Sequence, residues 1–221
     1  MTSIIGKDAF HANTGLGQID QNSLKELGTC FIDVKIDTRE AEELQKFQKA
    51  GFQLIDTNVQ FIKPIQGLNL SFSTQVRHAK ASDQEMVRHI AATVFLSNRF
   101  HRDPGFTHAI SSKIKEEWVG NFFTGKRGNA MLVAEYEQQV AGFILLLHDA
   151  AKQETIIDLV GIDTKFQGKG LAKQLIQSSE SLFHTEKIRV GTQLSNPASV
   201  YLYQHLGFSF ESANYSLHLH I

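Results

Sequence analysis

Gln167, Gly168, Lys169, Gly170, Leu171 and Ala172 are consecutive and have the composition of an anion site. They follow the β-branched run Ile156 to Ile162 and open an amphipathic stretch through Leu171, Leu175, Ile176, Leu182 and Phe183. A strand that turns through glycine into a helix points the first unsatisfied N–H groups of that helix, and the positive end of its dipole, outward. Glycine at 168 and 170 lets the backbone approach a ligand closely, so a phosphorylated ligand is expected here. The turn is not a P-loop, because Gly170 is followed by Leu171, and a dinucleotide turn would need glycine where Lys173 stands.

Some twenty residues on, Ile188 to Ser195 reads as a second strand and leads into Asn196-Pro197, a good N-cap and first helical residue. Gly207 sits where a left-handed C-terminal residue belongs. Seven residues are close to two turns, so Asn196 and Tyr203 project from one face of this helix toward the same neighbour.

The two segments together resemble the GNAT acetyltransferase superfamily. Gln167-x-x-Gly170-x-Ala172 is similar to its pyrophosphate turn, and Asn196-x-x-Ser199-x-x-x-Tyr203-x-x-x-Gly207-Phe208 to the end of its domain. The resemblance implies acetyl-CoA as cosubstrate, with the amides of Gly168 to Ala172 on the diphosphate and Lys169 adding charge. Asn196 would hold the pantetheine arm and Tyr203 would protonate the departing thiolate. A strand splayed from its neighbour between Val160 and Ile162 would offer backbone N–H groups, the amide of Ile162 above all, to the thioester carbonyl.

Most of the chain is also similar to amino-sugar-nucleotide acetyltransferases of the dTDP-fucosamine type. The segments are Ser97-Asn-Arg-Phe-His-Arg-Asp-Pro104, Trp118, Gly142-Phe143, Thr192-Gln193-x-x-Asn196, Ser212-x-x-Tyr215 and Gly51-Phe52-x-Leu54-x-Asp56. By this likeness Asp56 would draw the proton away through water, while Arg99 and His101, beside Arg102, would bind the acceptor's phosphates. Leu202 stands where those enzymes carry a basic residue, and the turn at 162–168 follows the general superfamily pattern. Other amine acceptors (a peptide N-terminus, a lysine, a polyamine, an aminoglycoside) and a non-catalytic acyl-CoA binder are the competing readings. Basic and aromatic walls would favour the sugar nucleotide, and an acidic cleft a polycation.

The elements that must position these groups read as α/β with a mixed sheet, the GNAT fold preceded by a smaller N-terminal β-α-β unit. Cys30 to Ile36 reads as a strand, Asp37 to Glu40 as a capping box, Ala41 to Ala50 as a helix stopped at Gly51, and Phe52 to Asp56 as a strand. Moved along by 156 positions, this unit falls on the C-terminal one: Ile32 on Ile188, Val34 on Val190, Phe47 on Tyr203, Gly51 on Gly207, Phe52 on Phe208. It therefore reads as a half-copy of the domain end, with Phe47 in place of the tyrosine. A boundary near 66 divides residues 1–66 from an acetyltransferase domain over 67–221. In the latter, strands are expected at 68–78, 130–135, 140–147 and 214–221, a helix from a capping box at Ser82 to Glu85, and another over Ile110 to Val119.

At 221 residues, 42% of them apolar, the chain can bury an ordinary core. Twenty-two basic against 23 acidic residues create no field that would draw nucleic acid or an anionic membrane. Val140 to Leu147, the longest apolar run, is too short to span a bilayer. Cys30 is the sole cysteine, and no basic-then-apolar leader pattern is present, so a cytoplasmic setting is expected. His218 and His220 share a strand face without a Cys or carboxylate pair nearby, and are expected to be surface histidines rather than metal ligands. No metal is expected, and the partner implied is a small-molecule amine, with a homodimer compatible.

Overall fold

The computed structural model describes residues 1–14, 24, 26–65 and 73–221. The strands are β1 (Asp8–Ala12), β2 (Cys30–Asp37), β3 (Gln53–Pro64), β4 (Val76–His78), β5 (Ala130–Tyr136), β6 (Gln139–Asp149), β7 (Glu154–Ile162), β8 (Lys187–Gln193) and β9 (Ser209–His220). The longer helices are α1 (Ala41–Lys49), α2 (Gln84–Val94), α3 (His108–Phe123), α4 (Leu171–Ser179) and α5 (Pro197–His205). All the strands join one mixed sheet in the order β1-β2-β9-β3-β8-β7-β6-β5-β4.

The GNAT α/β architecture and the strand and helix order expected for residues 81–221 are present. Two capping boxes are not. Asp37 is held by its neighbour Arg39 at 2.6 Å, and α1 starts at Ala41 with no side-chain cap. Ahead of α2 it is the Asp83 carboxylate that accepts the Lys80 N–H, at 2.7 Å, while also gripping Arg77. The expected strand at 68–78 is described only as Val76–His78, and the division near 66 lies outside the described residues. The sheet itself runs across that division, because β3 lies between β8 and β9, two strands that follow each other in the chain.

The half-copy has a geometric counterpart. Adding 156 to the residue numbers of α1 gives α5, and adding it to β3 gives β9, end for end. Each copy hands its last strand to the first strand of the other: β2 pairs antiparallel with β9, and β8 with β3. β3 and β9 then pair with each other, and their two bulges fall at Ile55 and Glu211, again 156 apart. The helix ends match as well. Gly51 (φ 99) and Gly207 (φ 84) follow α1 and α5, and the next amide bonds back in each, Phe52 N–H to Phe47 O and Phe208 N–H to Tyr203 O, both at 3.0 Å.

α4 and α5 cover one face of the sheet, where Leu171, Leu175, Ile176, Tyr203 and Phe208 pack on Ile144, Leu146, Ile157 and Val190. α2 and α3 cover the other, with Val87, Ile90 and Val119 against Met131, Val133, Phe143 and Leu145. On this second face β2, β9 and β3 are polar: Lys35, Ser216 and Asp56 lie side by side in register. Of this row Lys35 reaches the wall of a cavity, while Ser216 and Asp56 stand outside its lining.

Candidate active site

β7 and β8 run parallel from Glu154/Lys187 only as far as Ile157/Val190. Past that point β7 continues to Ile162 along β6, and β8 continues to Gln193 along β3. The cause is local: the β6–β7 register slips at Asp158, a bulge that bends β7 away from β8. A cavity of about 350 Å³ opens where the strands part, and Val160, Asn196 and Tyr203 reach its wall.

Asn196 caps α5, its side-chain oxygen accepting the Ser199 N–H at 3.2 Å. Tyr203 is 3% exposed, packs near Phe61 and Phe208, and has no side-chain hydrogen bond among the described residues. Burial pushes its phenol well above the ordinary value, so it holds its proton until a strong base appears beside it.

On the outer rim Gln167, Gly168, Lys169 and Gly170 are all exposed. Gly168 and Gly170 have φ of 75° and 76°, a conformation that disfavours a side chain, and open space lies in front of both. Gly170 is the N-cap of α4 and offers no side chain, so the first amides of the helix, at Leu171 and Ala172, lack intrahelical acceptors. These residues fit a diphosphate. Gln167 braces the turn by donating to the Ile162 carbonyl at 3.2 Å, and Lys169 lies 5.9 Å from the Tyr136 ring centroid. Ile162 pairs with Gly142 in β6 and stands beyond the cavity wall proper, whereas Val160 forms part of it.

Elsewhere on the cavity wall, Arg99 extends from a short helical turn (Arg99–Arg102) over the Phe100 ring, reaches Asp33 at 3.2 Å, and lines the cavity with its Nε buried and unpartnered. His101 does not join it. Its ring turns to Asn98 at 2.9 Å and Ser112 at 3.4 Å, and burial, with His108 and Lys115 nearby, lowers its pKa. Asp56 is also off the wall. It follows the β3 bulge and is engaged by the Ser195 hydroxyl at 2.6 Å, the Thr57 N–H at 2.7 Å and Arg102 at 3.1 Å.

Four charged wall residues were missed by the sequence reading. Lys35 comes from β2, Lys115 from α3, Arg127 from the loop before β5, and Asp158 from the β7 bulge. Arg127 clamps Asp158 through two bonds of 2.6 Å, and the Trp118 indole N–H donates to the same carboxylate at 2.9 Å. Signals for two of them exist in the chain: Asp158 interrupts an apolar strand, and Lys115 falls between Ser111 and Val119 on the buried stripe of α3.

A further expectation is overturned. His218 and His220 are not surface histidines: His218 is 1% exposed, and both bond Asp103 Oδ2, at 2.6 and 2.8 Å, beneath Phe106. The covering loop is remote in sequence, so strand alternation alone could not show it. Among the described residues no cluster suited to a metal ion occurs, and no helix is long and apolar enough to cross a membrane.

Comparison with known proteins agrees with this geometry. The chain is 30% identical over 140 residues to the spore coat polysaccharide biosynthesis protein SpsD of Bacillus subtilis, covering 62% of this chain and 47% of that one. It thus spans about half the length of that relative. To the dTDP-fucosamine acetyltransferase of Escherichia coli it is 26% identical over 191 residues, 85% of this chain and 80% of the other. A conserved protein of unknown function from Staphylococcus epidermidis shares the fold at a TM-score of 0.64 and 15% identity, over 90% of this chain and 76% of that one. A GCN5-related N-acetyltransferase from Sphaerobacter thermophilus does so at 0.62 and 12%, over 90% and 64%. The acetyltransferase (GNAT) domain family matches residues 81–216, the stretch that holds the glycine turn, the parted strands and the buried phenol. The chain belongs to the GNAT family of acyl-CoA-dependent N-acetyltransferases.

Proposed function

We propose that the chain acetylates the amine of a nucleotide-linked amino sugar, with acetyl-CoA as donor. The observation that carries this reading is the charge of the cavity wall: Lys35, Arg99, Lys115 and Arg127 against Asp158 as the one carboxylate among the described residues. Asp158 is already taken by Arg127 and Arg99 is paired with Asp33, so Lys35 and the protonated fraction of Lys115 leave the wall a net positive field suited to phosphate oxygens. Trp118, Phe95 and Phe100 add flat apolar surface for a sugar or base. A polyamine or an aminoglycoside would meet repulsion there. The E. coli and B. subtilis relatives, a dTDP-fucosamine acetyltransferase and a polysaccharide biosynthesis protein by name, support the same class.

Bound acetyl-CoA would supply an activated acetyl thioester. The amides of Gly168 to Ala172 would hold its diphosphate and Asn196 its pantetheine arm, leaving the thioester in the gap between β7 and β8. Holding both substrates there accounts for roughly 7–11 kcal/mol of the barrier, more than the factor of about 10² to 10⁴ that a placed acid contributes. Tyr203, kept protonated by burial, would deliver its proton to the sulfur as charge develops.

The test is acetyl-CoA consumption over a panel of nucleotide-linked amino sugars, with spermidine and a peptide as controls. Turnover is expected with at least one sugar nucleotide, and Arg99→Ala should raise its KM about tenfold while leaving that for acetyl-CoA unchanged. Transfer to the peptide or spermidine alone would refute the sugar reading.

A further inference from the structure

Lys115 rests on aromatic faces and has no ionic or hydrogen-bonding partner among the described residues. It lies in the middle of α3, is 9% exposed, and reaches the cavity wall. Its Nζ sits 4.2 Å from the Trp118 ring centroid and 5.7 Å from that of Phe95. Among the described residues no hydrogen bond or ion pair reaches it. A buried ammonium without a counter-ion is costly unless it can shed its proton.

The groups around it come from every side of the cavity. Arg99 and His101 lie on the turn after α2, Lys35 and Asp33 on β2, Arg127 on the loop before β5, and Asp158 on β7. The two aspartates are committed, Asp33 to Arg99 and Asp158 to Arg127. The surplus is cationic, and burial followed by the charge of Arg99 brings the Lys115 pKa down to about 7. Near neutrality a large fraction of Lys115 therefore presents a free lone pair to the cavity.

We propose that Lys115 is the base that takes the proton from the acceptor's ammonium, an inference that rests on the acetyl-transfer reading above. The acceptor R–NH₃⁺ gives one proton to Nζ. The neutral amine then forms its bond to the acetyl carbonyl carbon, the carbon–sulfur bond breaks, and the sulfur leaves as thiol with the proton of Tyr203. The second proton shed by nitrogen restores the phenol, and Lys115 releases its own to water. The same cationic wall depresses the acceptor ammonium's pKa, which makes the first transfer easier. Asp56, the position implied by family likeness, is occupied by Ser195, Thr57 and Arg102 and lies off the wall.

Two measurements test this on the full chain. Competitive acetic anhydride labelling from about pH 5 to about pH 10, read at each lysine by mass spectrometry, needs no acceptor. It should give Lys115 a midpoint near 7, well below that of exposed Lys173. With the best acceptor from the panel, kcat/KM should rise through an acidic limb near the same pH. Lys115→Met should abolish that limb and cost about 10²-fold at neutrality, with recovery at high pH where the acceptor is already free amine. Lys115→Arg should be as slow, because a guanidinium keeps the charge but does not give up its proton. A labelling midpoint equal to that of Lys173 overturns the proposal. So does rescue by Arg, or a limb that survives in Lys115→Met and disappears in Asp56→Asn. Failure of every acceptor in the panel, with a midpoint near 7, refutes the acceptor class and not the titration.

Discussion

The β2-α1-β3 and β8-α5-β9 units share one geometry, and they differ in what they present to the cavity: Tyr203 and Asn196 of the second line it, Phe47 and Glu40 of the first do not. Helix limits, glycine caps, bulges and strand exchange agree at an offset of 156. At equivalent places Phe47 stacks edge-on against Phe52, while Tyr203 sits against Phe208 and reaches the cavity. Glu40 makes no side-chain cap, whereas Asn196 does. The difference teaches that this backbone is set by patterns both copies keep: alternating strands, an apolar helix stripe, a left-handed glycine. What differs is single side chains, and a neighbour, β7, that pulls away from β8 at the Asp158 bulge.

The comparison breaks most severely at the phenol. Tyr203→Phe makes the C-terminal copy resemble the N-terminal one, and turnover should fall by about 10²- to 10⁴-fold while affinity for coenzyme A, read by calorimetry, is kept. Full activity in this variant would remove Tyr203 from the reaction.

The glycines should sharpen the likeness. Gly51 and Gly207 both have positive φ, and a Cβ would meet only ordinary contacts, Leu219 at 3.6 Å and Lys63 at 3.9 Å. Gly51→Ala and Gly207→Ala should each cost about 1–2 kcal/mol by denaturant titration, through backbone strain alone. Costs differing by more than about 1 kcal/mol would mean that the two caps are not equivalent. The smallest contrast lies at the helix starts: Asn196→Ala should lose about 1 kcal/mol of stability and Glu40→Ala less than about 0.5 kcal/mol.

Much of this was legible in the sequence, and for a physical reason. The glycine turn is a local main-chain arrangement, so a handful of consecutive residues specifies it. α5 announces itself by Asn196, Pro197 and Gly207. The duplication is visible in a few matched positions because glycine caps and core aromatics tolerate little change. The cavity wall follows other rules. Lys35, Arg99, Lys115 and Arg127 come from four distant segments, and no local pattern says that they meet. His101 shows the converse: it stands beside Arg99 in the chain, yet its ring is drawn to Asn98 and Ser112 instead. His218 was misjudged because the loop around Asp103 that covers it is an event of tertiary structure.

The placement of β3 has a bearing on how the molecule is made. This strand leaves the ribosome well before both of its neighbours: it ends at Pro64, whereas β8 starts at Lys187 and β9 at Ser209. Until they emerge its two edges stay bare, a condition that invites pairing with other nascent chains and slows productive closure. Order of synthesis and order of assembly are thus opposed for β3, and whatever shields this strand until β8 and β9 emerge favours correct folding.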